Sequence, residues 1–143
     1  MNKIIWKQHI ALNQLNQFRS QGLGQFLGIK ITGRNRKGLI AEMPIEDKHK
    51  QPLGIVHGGA TATLAETVAS IASWLCIDTE KKFIVGLELN INHLKAVREG
   101  LVTAFCKAIH VGRSTQVWQI DIFNSVQQQV STSRLTVSNI DKK

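Results

Sequence analysis

The sequence predicts an α+β fold in which one antiparallel sheet curls around a single long helix. Three observations carry this. The run from Ala60 to Cys76 is rich in Ala and contains neither Pro nor Gly, which gives one long helix. After it come four strand-like segments separated by turn residues. Two shorter strand-like segments precede it, so the order is two strands, one helix, four strands, an α+β layer.

Taken from the N-terminus, residues 8–19 place Ile10, Leu12, Leu15 and Phe18 at near-helical spacing, which predicts a short helix. Residues 27–32 alternate like a strand. Residues 33–38 read as a turn and 39–44 as the return strand of a hairpin. Residues 45–57 form a long loop, and Gly58-Gly59 opens the central helix. Strands are then expected over 83–94, 100–111, 115–123 and 129–138, with turns at 98–100, 112–114 and 124–125. The alternation is clearest in Thr115-Gln-Val-Trp-Gln-Ile-Asp-Ile-Phe123. Ala and Ser line the central helix, so the sheet can wrap closely around it.

A chain of 143 residues suits one domain, here 1–143, with room for a real core. Its longest apolar stretch is interrupted by Thr61, Thr63, Glu66, Thr67, Ser70 and Ser73, which excludes a membrane span. The first residues show no apolar core of a secretory signal. Cys76 and Cys106 lack metal or redox spacing and read as buried free thiols, which fits a reducing cytoplasm. The net charge is +8, but the cations are scattered and aromatics do not interleave with them, so no nucleic-acid surface is expected. A basic balance equally suits steering of a small anionic substrate. His9, His49 and His110 read as surface residues, and Trp6, Trp74 and Trp118 as packing groups. No histidine pair has metal-ligand spacing, so neither a metal nor a cofactor is expected.

Glu66 is the only formally charged residue between Gln51 and Ile77. A carboxylate in so apolar a run is either exposed on a helix face or buried for a reason, and in the second case it is a candidate catalytic group. His57 lies nine residues before it. At 1.5 Å rise and ~100° per residue, the two stand roughly 13 Å apart on opposite helix faces. They cannot serve one small bond within one chain. Either they are unrelated, or a second copy completes the site, which requires a symmetric dimer with two equivalent composite sites.

The segment His57-Gly-Gly-Ala-Thr-Ala-Thr-Leu-Ala-Glu66-Thr, in this element order, resembles the acyl-CoA thioesterases of the hotdog fold. The likeness is greatest to the branch acting on 4-hydroxybenzoyl-CoA, on 1,4-dihydroxy-2-naphthoyl-CoA and in enterobactin proofreading. It extends over Ile5-Trp6-Lys7, Met43-Pro44, Gln51-Pro52, residues 85–88, Asn92-His93-Leu94, residues 98–100 and 116–121. The resemblance implies that Gln51, His57 and Gly58 stand at the helix entrance, with the Gly58 N–H as an oxyanion hole. It implies that Glu66 comes from a partner's helix, as nucleophile or as general base for water, with Ser70 one turn beyond it. It places His93 near the acyl ring. It makes Lys95, where the family commonly has Arg, and Arg113-Ser114-Thr115 candidates for the CoA phosphates. An acyl-CoA or carrier-protein thioester as substrate, and a homo-oligomer, most readily a dimer of dimers, follow from the same likeness. The competing expectation is a non-catalytic acyl-CoA or acyl-carrier binding module on the same fold.

Overall fold

The computed structural model describes residues 4–18 and 21–143. Its elements are α1 (Leu12–Phe18), α2 (Gly22–Phe26), β1 (Lys30–Arg34), β2 (Gly38–Ile45), a 3₁₀ turn (Asp47–His49), α3 (Gly58–Leu75), β3 (Lys82–His93), β4 (Gly100–Val111), β5 (Thr115–Phe123) and β6 (Gln129–Asp141). The six strands form one sheet in the order β1-β2-β4-β5-β6-β3, with every neighbouring pair antiparallel. β1 and β3 are therefore its edges.

The core is the layer between α3 and the concave face of the sheet. Leu64, Ala65, Val68, Ala69, Ala72 and Leu75 of α3 are fully buried, as are Met43, Val102, Trp118, Ile120, Ile122 and Leu135 opposite them. Each large aliphatic residue sealed this way stabilises the fold by roughly 1.5–3 kcal/mol. Ala65, Ala69 and Ala72 set the spacing. Their short side chains let the curved sheet approach the helix, and β-strand alternation does the rest: β5 reads buried at every second residue from Gln116 to Ile122.

The structure departs from the sequence reading at six places. The first strand, expected over 27–32, runs from Lys30 to Arg34, because residues 27–29 bond back onto α2 through Leu27 N–H to Leu23 O, Gly28 N–H to Gln25 O and Ile29 N–H to Gly24 O. The first helix starts at Leu12, because Lys7 N–H and Gln8 N–H both bond Leu75 O and hold the preceding segment extended along the end of α3. The five-residue α2 was not foreseen; two glycines in Gly22-Leu-Gly-Gln-Phe26 conceal it. α3 begins at Gly58, two residues earlier than expected, because His57 caps it. β6 continues to Asp141, since β3 begins at Lys82 and pairs with it there. His49, expected on the surface, is buried: Nδ1 accepts from Glu46 N–H at 3.0 Å, and Nε2 reaches Leu27 O at 2.8 Å. A neutral imidazole with both nitrogens satisfied can sit in the core without cost in lost hydrogen bonds.

The tryptophans pack as expected of them. Trp6 stacks on the fully buried Trp118, with centroids 6.2 Å apart and planes within 8°. Both cysteines are free and buried. Burial pushes the Cys76 thiol up to about 12 and raises that of Cys106 further, so both stay protonated and unreactive at neutral pH.

Candidate active site

The N-terminus of α3 organises the first half of the site. Here the opening backbone N–H groups have no partner within the helix. Gly59 N–H donates to His57 Nδ1 at 2.8 Å, and Ala60 N–H donates to His57 O at 2.9 Å. Gly58 N–H is left with no acceptor among the described residues. It projects from the positive end of the helix dipole, which makes it a ready donor to a developing oxyanion. With Nδ1 accepting, His57 carries its ring proton on Nε2, and the ring is exposed.

Gln51 supplies a second donor. The loop from Gln51 to Ile55 closes on itself through Gln51 N–H to Ile55 O and Gly54 N–H to Gln51 O, both 2.9 Å. Gly54, at φ +75, makes that reversal possible. Leu53 N–H donates to Gln51 Oε1, which fixes the carboxamide's orientation and leaves its NH₂ without a partner among the described residues. Gln51, Gly58, Thr61, His93 and Lys95 line one cleft of about 320 Å³. His93 lies directly against Gly58: a Cβ on that glycine would stand 2.7 Å from His93 Nε2. Thr61 Oγ1 donates to Gly58 O at 2.9 Å and faces His93 Nδ1 at 3.4 Å. With the Thr61 proton committed to Gly58, Nδ1 is the donor and Nε2 carries the lone pair into the cleft.

Glu66 stands elsewhere. Together with Ser70, one turn on, it lines a second cleft of about 680 Å³, walled by α2 and the start of β1 through Gly24, Gln25, Gly28 and Ile31. The carboxylate is exposed and has no hydrogen-bond or ion-pair partner among the described residues. It leans on the backbone of β3, where Gly86 leaves it room. Arg113, Ser114 and Thr115 lie at a third place, the β4–β5 turn. Asn139 Nδ2 holds this turn through Gly112 O at 3.0 Å, and Lys82 Nζ approaches Arg113 O at 3.5 Å. Lys82 begins β3 and His93 ends it, so Arg113 and Lys95 are separated by roughly 35 Å of strand.

The chain that carries a helix cap with a free amide, a tethered carboxamide and an unpartnered carboxylate is similar along most of its length to known proteins. Residues 53–131 match the family profile described as the Thioesterase superfamily. This chain belongs to that superfamily. It is 42% identical over 135 residues to the 1,4-dihydroxy-2-naphthoyl-CoA hydrolase of Escherichia coli, covering 94% of this chain and 98% of the relative. Among solved structures it superposes on a mutant of thioesterase PA1618 from Pseudomonas aeruginosa with TM-score 0.94 and 40% identity, covering 96% of this chain and 99% of that one. Thioesterase HI1161 from Haemophilus influenzae gives TM-score 0.91 and 43% identity over 96% of this chain and 95% of that one. Both likenesses are to thioesterases, and thioester hydrolysis is the chemistry this chain shares with them.

For a thioesterase of this chain's geometry, the expected residues fall into three groups within one copy. Gln51, Gly58, His93 and Lys95 come together, with His57 capping the helix beside them. Glu66 and Ser70 come together in the other cleft. Arg113, Ser114 and Thr115 share one turn. Sequence reasoning missed Thr61 and Gly86. Thr61 sits one helical turn after His57, and Gly86 is an isolated glycine inside a strand pattern. Such a glycine signals a close approach by another group.

Proposed function

We propose that this thioesterase hydrolyses aromatic acyl-CoA thioesters at composite sites shared between two copies of the chain. The observation that carries the reading is the pair of unpartnered donors, Gly58 N–H and the Gln51 carboxamide, in a cleft that lacks the one free carboxylate on α3. The thioester carbonyl oxygen accepts from these donors and gains negative charge in the transition state. Glu66 of the second copy attacks the carbonyl carbon, or removes a proton from the water that does so. On the first route the C–S bond breaks to leave an acyl anhydride on Glu66, which water then cleaves; on the second the water oxygen adds directly and the C–S bond breaks. On both, the departing thiolate takes the proton that water gives up and the acid is released. His57, with its proton on Nε2, stands where a donor to the departing sulfur is useful. His93 Nε2 and Ser70 face the acyl group, while Lys95 and the Arg113–Thr115 turn attract CoA phosphates.

The edge strand supports the second copy. β3 has twelve residues, and Phe83, Val85 and Leu87 are exposed on it at 43%, 36% and 59%. Glu66 abuts Gly86 and Gly58 abuts His93 on this strand. Antiparallel pairing of two β3 strands about a two-fold axis near Leu89–Asn90 sets each copy's Gly86 opposite the other's His93. That is the juxtaposition the chemistry needs. The aryl preference rests on the Escherichia coli relative's activity. The two buried free thiols fit a reducing, cytoplasmic setting, and a dimer of dimers is the assembly we favour.

The test is kinetic. Glu66→Gln should lower kcat on the order of 10²-fold or more with KM little changed, because the interaction is made in the transition state. Mixing Glu66→Ala with His57→Ala subunits should restore up to about a quarter of wild-type activity, since half of randomly formed dimers are hybrids and each has one intact site. Equal rates for wild type and Glu66→Gln on 4-hydroxybenzoyl-CoA would refute the catalytic reading of Glu66, whereas no turnover by the wild type would favour a binding module. A strong preference for palmitoyl-CoA would refute the aryl assignment. Single-turnover hydrolysis in ¹⁸O-labelled water separates nucleophile from base, because only an anhydride leaves label in the Glu66 carboxylate.

A further inference from the structure

Gly86 interrupts an otherwise side-chain-bearing strand, and the structure shows what occupies the gap. A Cβ at this position would stand 3.0 Å from Glu66 Oε1, closer than carbon and oxygen normally approach; its next neighbour, Leu135 Cδ1, is at an ordinary 4.0 Å. The glycine is not required by the backbone. Its φ is not positive, unlike those of Gly22, Gly28, Gly54 and Gly100. The residue is exposed in the single copy, so no packing within its own chain forbids a methyl group. The ladder shifts register between Gly86 and Glu88, which places Leu87 in a bulge and bends the strand beside the carboxylate.

We infer that Gly86 is a positioning residue for the thioesterase reaction: its missing side chain forms the notch that seats the Glu66 carboxylate. This rests on the reading of Glu66 as the acting carboxylate. Glu66 has no hydrogen-bond or ion-pair partner among the described residues, so contact shape is what orients it. A glutamate side chain has three rotatable bonds, and an unbonded carboxylate otherwise samples several rotamers. Filling the notch displaces Oε1 by a few tenths of an ångström or drives it into another rotamer. Reaction rates are steep in such displacements: misplacement by about 1 Å costs about 10²-fold.

The experiment is Gly86→Ala in the full chain, assayed with 4-hydroxybenzoyl-CoA, with Lys107→Ala, at an exposed position of β4, as a control. The expected result is a fall in kcat of about tenfold or more with KM within about twofold of wild type. Melting temperature and oligomeric state should not change, because Ala is backbone-compatible and slightly less flexible in the unfolded chain. A purely structural role would move the melting temperature instead of splitting kcat from KM. Gly86→Ala is also placed on Glu66→Ala, where the notch is empty. There it should alter neither the melting temperature nor the affinity for the same thioester. Wild-type kcat in Gly86→Ala overturns the inference. So does a loss of fold or affinity that persists in the Glu66→Ala background, whereas a loss of fold relieved there supports it. If Glu66→Gln itself turns over at the wild-type rate, the catalytic reading falls. If Glu66→Gln is inactive while Gly86→Ala is fully active, only the role of Gly86 falls.

Discussion

The two edges of the sheet solve the same problem in opposite ways. An edge strand presents unpaired N–H and C=O groups that invite another chain, and proteins usually blunt it. β1 is blunted. It has five residues, its register shifts between Ile31 and Gly33, and α1 lies along it. Asn16 of α1 behaves as a one-residue strand: its Nδ2 donates to Ile31 O at 2.8 Å, and its Oδ1 accepts from Ile31 N–H at 2.9 Å. Arg34 Nη1 adds a bond to Ile10 O at 2.9 Å. Among the described residues β3 has no such cover. It is more than twice as long, and exposed apolar side chains run along it. The difference teaches that protection of the first edge and openness of the second are both built in. The open edge also carries His93 and is the strand against which Glu66 stands.

Charging the open edge should do the most damage. Leu87→Lys places an ammonium where we propose that two β3 strands meet. It should dissociate the oligomer in light scattering and reduce turnover on the order of 10²-fold or more, because each site loses its second half. Thr32→Lys at the exposed bulge of β1 is the matched control and should leave both readings near wild type. An active Leu87→Lys monomer would break the comparison. A smaller effect is expected at the covered edge. Asn16→Ala leaves Ile31 without its side-chain partners and should cost about 1–3 kcal/mol of stability, read as a lower midpoint in denaturant. Its oligomeric state should not change.

The smallest effect lies at the start of β3. Lys82 Nζ bonds Asp141 Oδ1 at 2.7 Å and holds that carboxyl below its usual range. A depressed carboxyl stabilises the fold above its unfolded pKa, near 3.8, and the contribution disappears as pH falls through the lower folded value. Asp141→Asn should therefore lower the melting temperature slightly at neutral pH and not at all once both states are protonated. A larger deficit in acid than at pH 7 would contradict this.

Much of this architecture is readable in the residues, and the exceptions have physical causes. β5 is legible because Thr115–Phe123 alternates with period two and one face is sealed. α3 is legible because a Pro-free, Ala-rich run has few other options. The Gln51, His57 and Glu66 pattern is legible because residue type and spacing are local properties. α2 is not, since five residues with two glycines carry no periodicity. His49 is not, because it sits in Glu46-Asp-Lys-His-Lys50, a run of polar residues. Its burial depends on a carbonyl at Leu27, far away in sequence. The placement of His57 and Glu66 on opposite faces of α3 follows from helical geometry alone, while the room at Gly86 depends on how β3 lies against α3, a tertiary relation no local pattern encodes.

The stacked indoles of Trp6 and Trp118 have an optical consequence. Trp118 sits at the centre of the sheet, and Trp6 joins it from the N-terminal segment, tied by Trp6 Nε1–H to Asn35 O at 2.7 Å. Both rings are sealed from water, Trp6 at 9% exposure and Trp118 at 0%, so their emission lies at short wavelength. Detachment of the N-terminal segment wets Trp6 and uncovers the face of Trp118, which shifts the emission to the red. The chain thus carries a built-in reporter for the docking of residues 4–8.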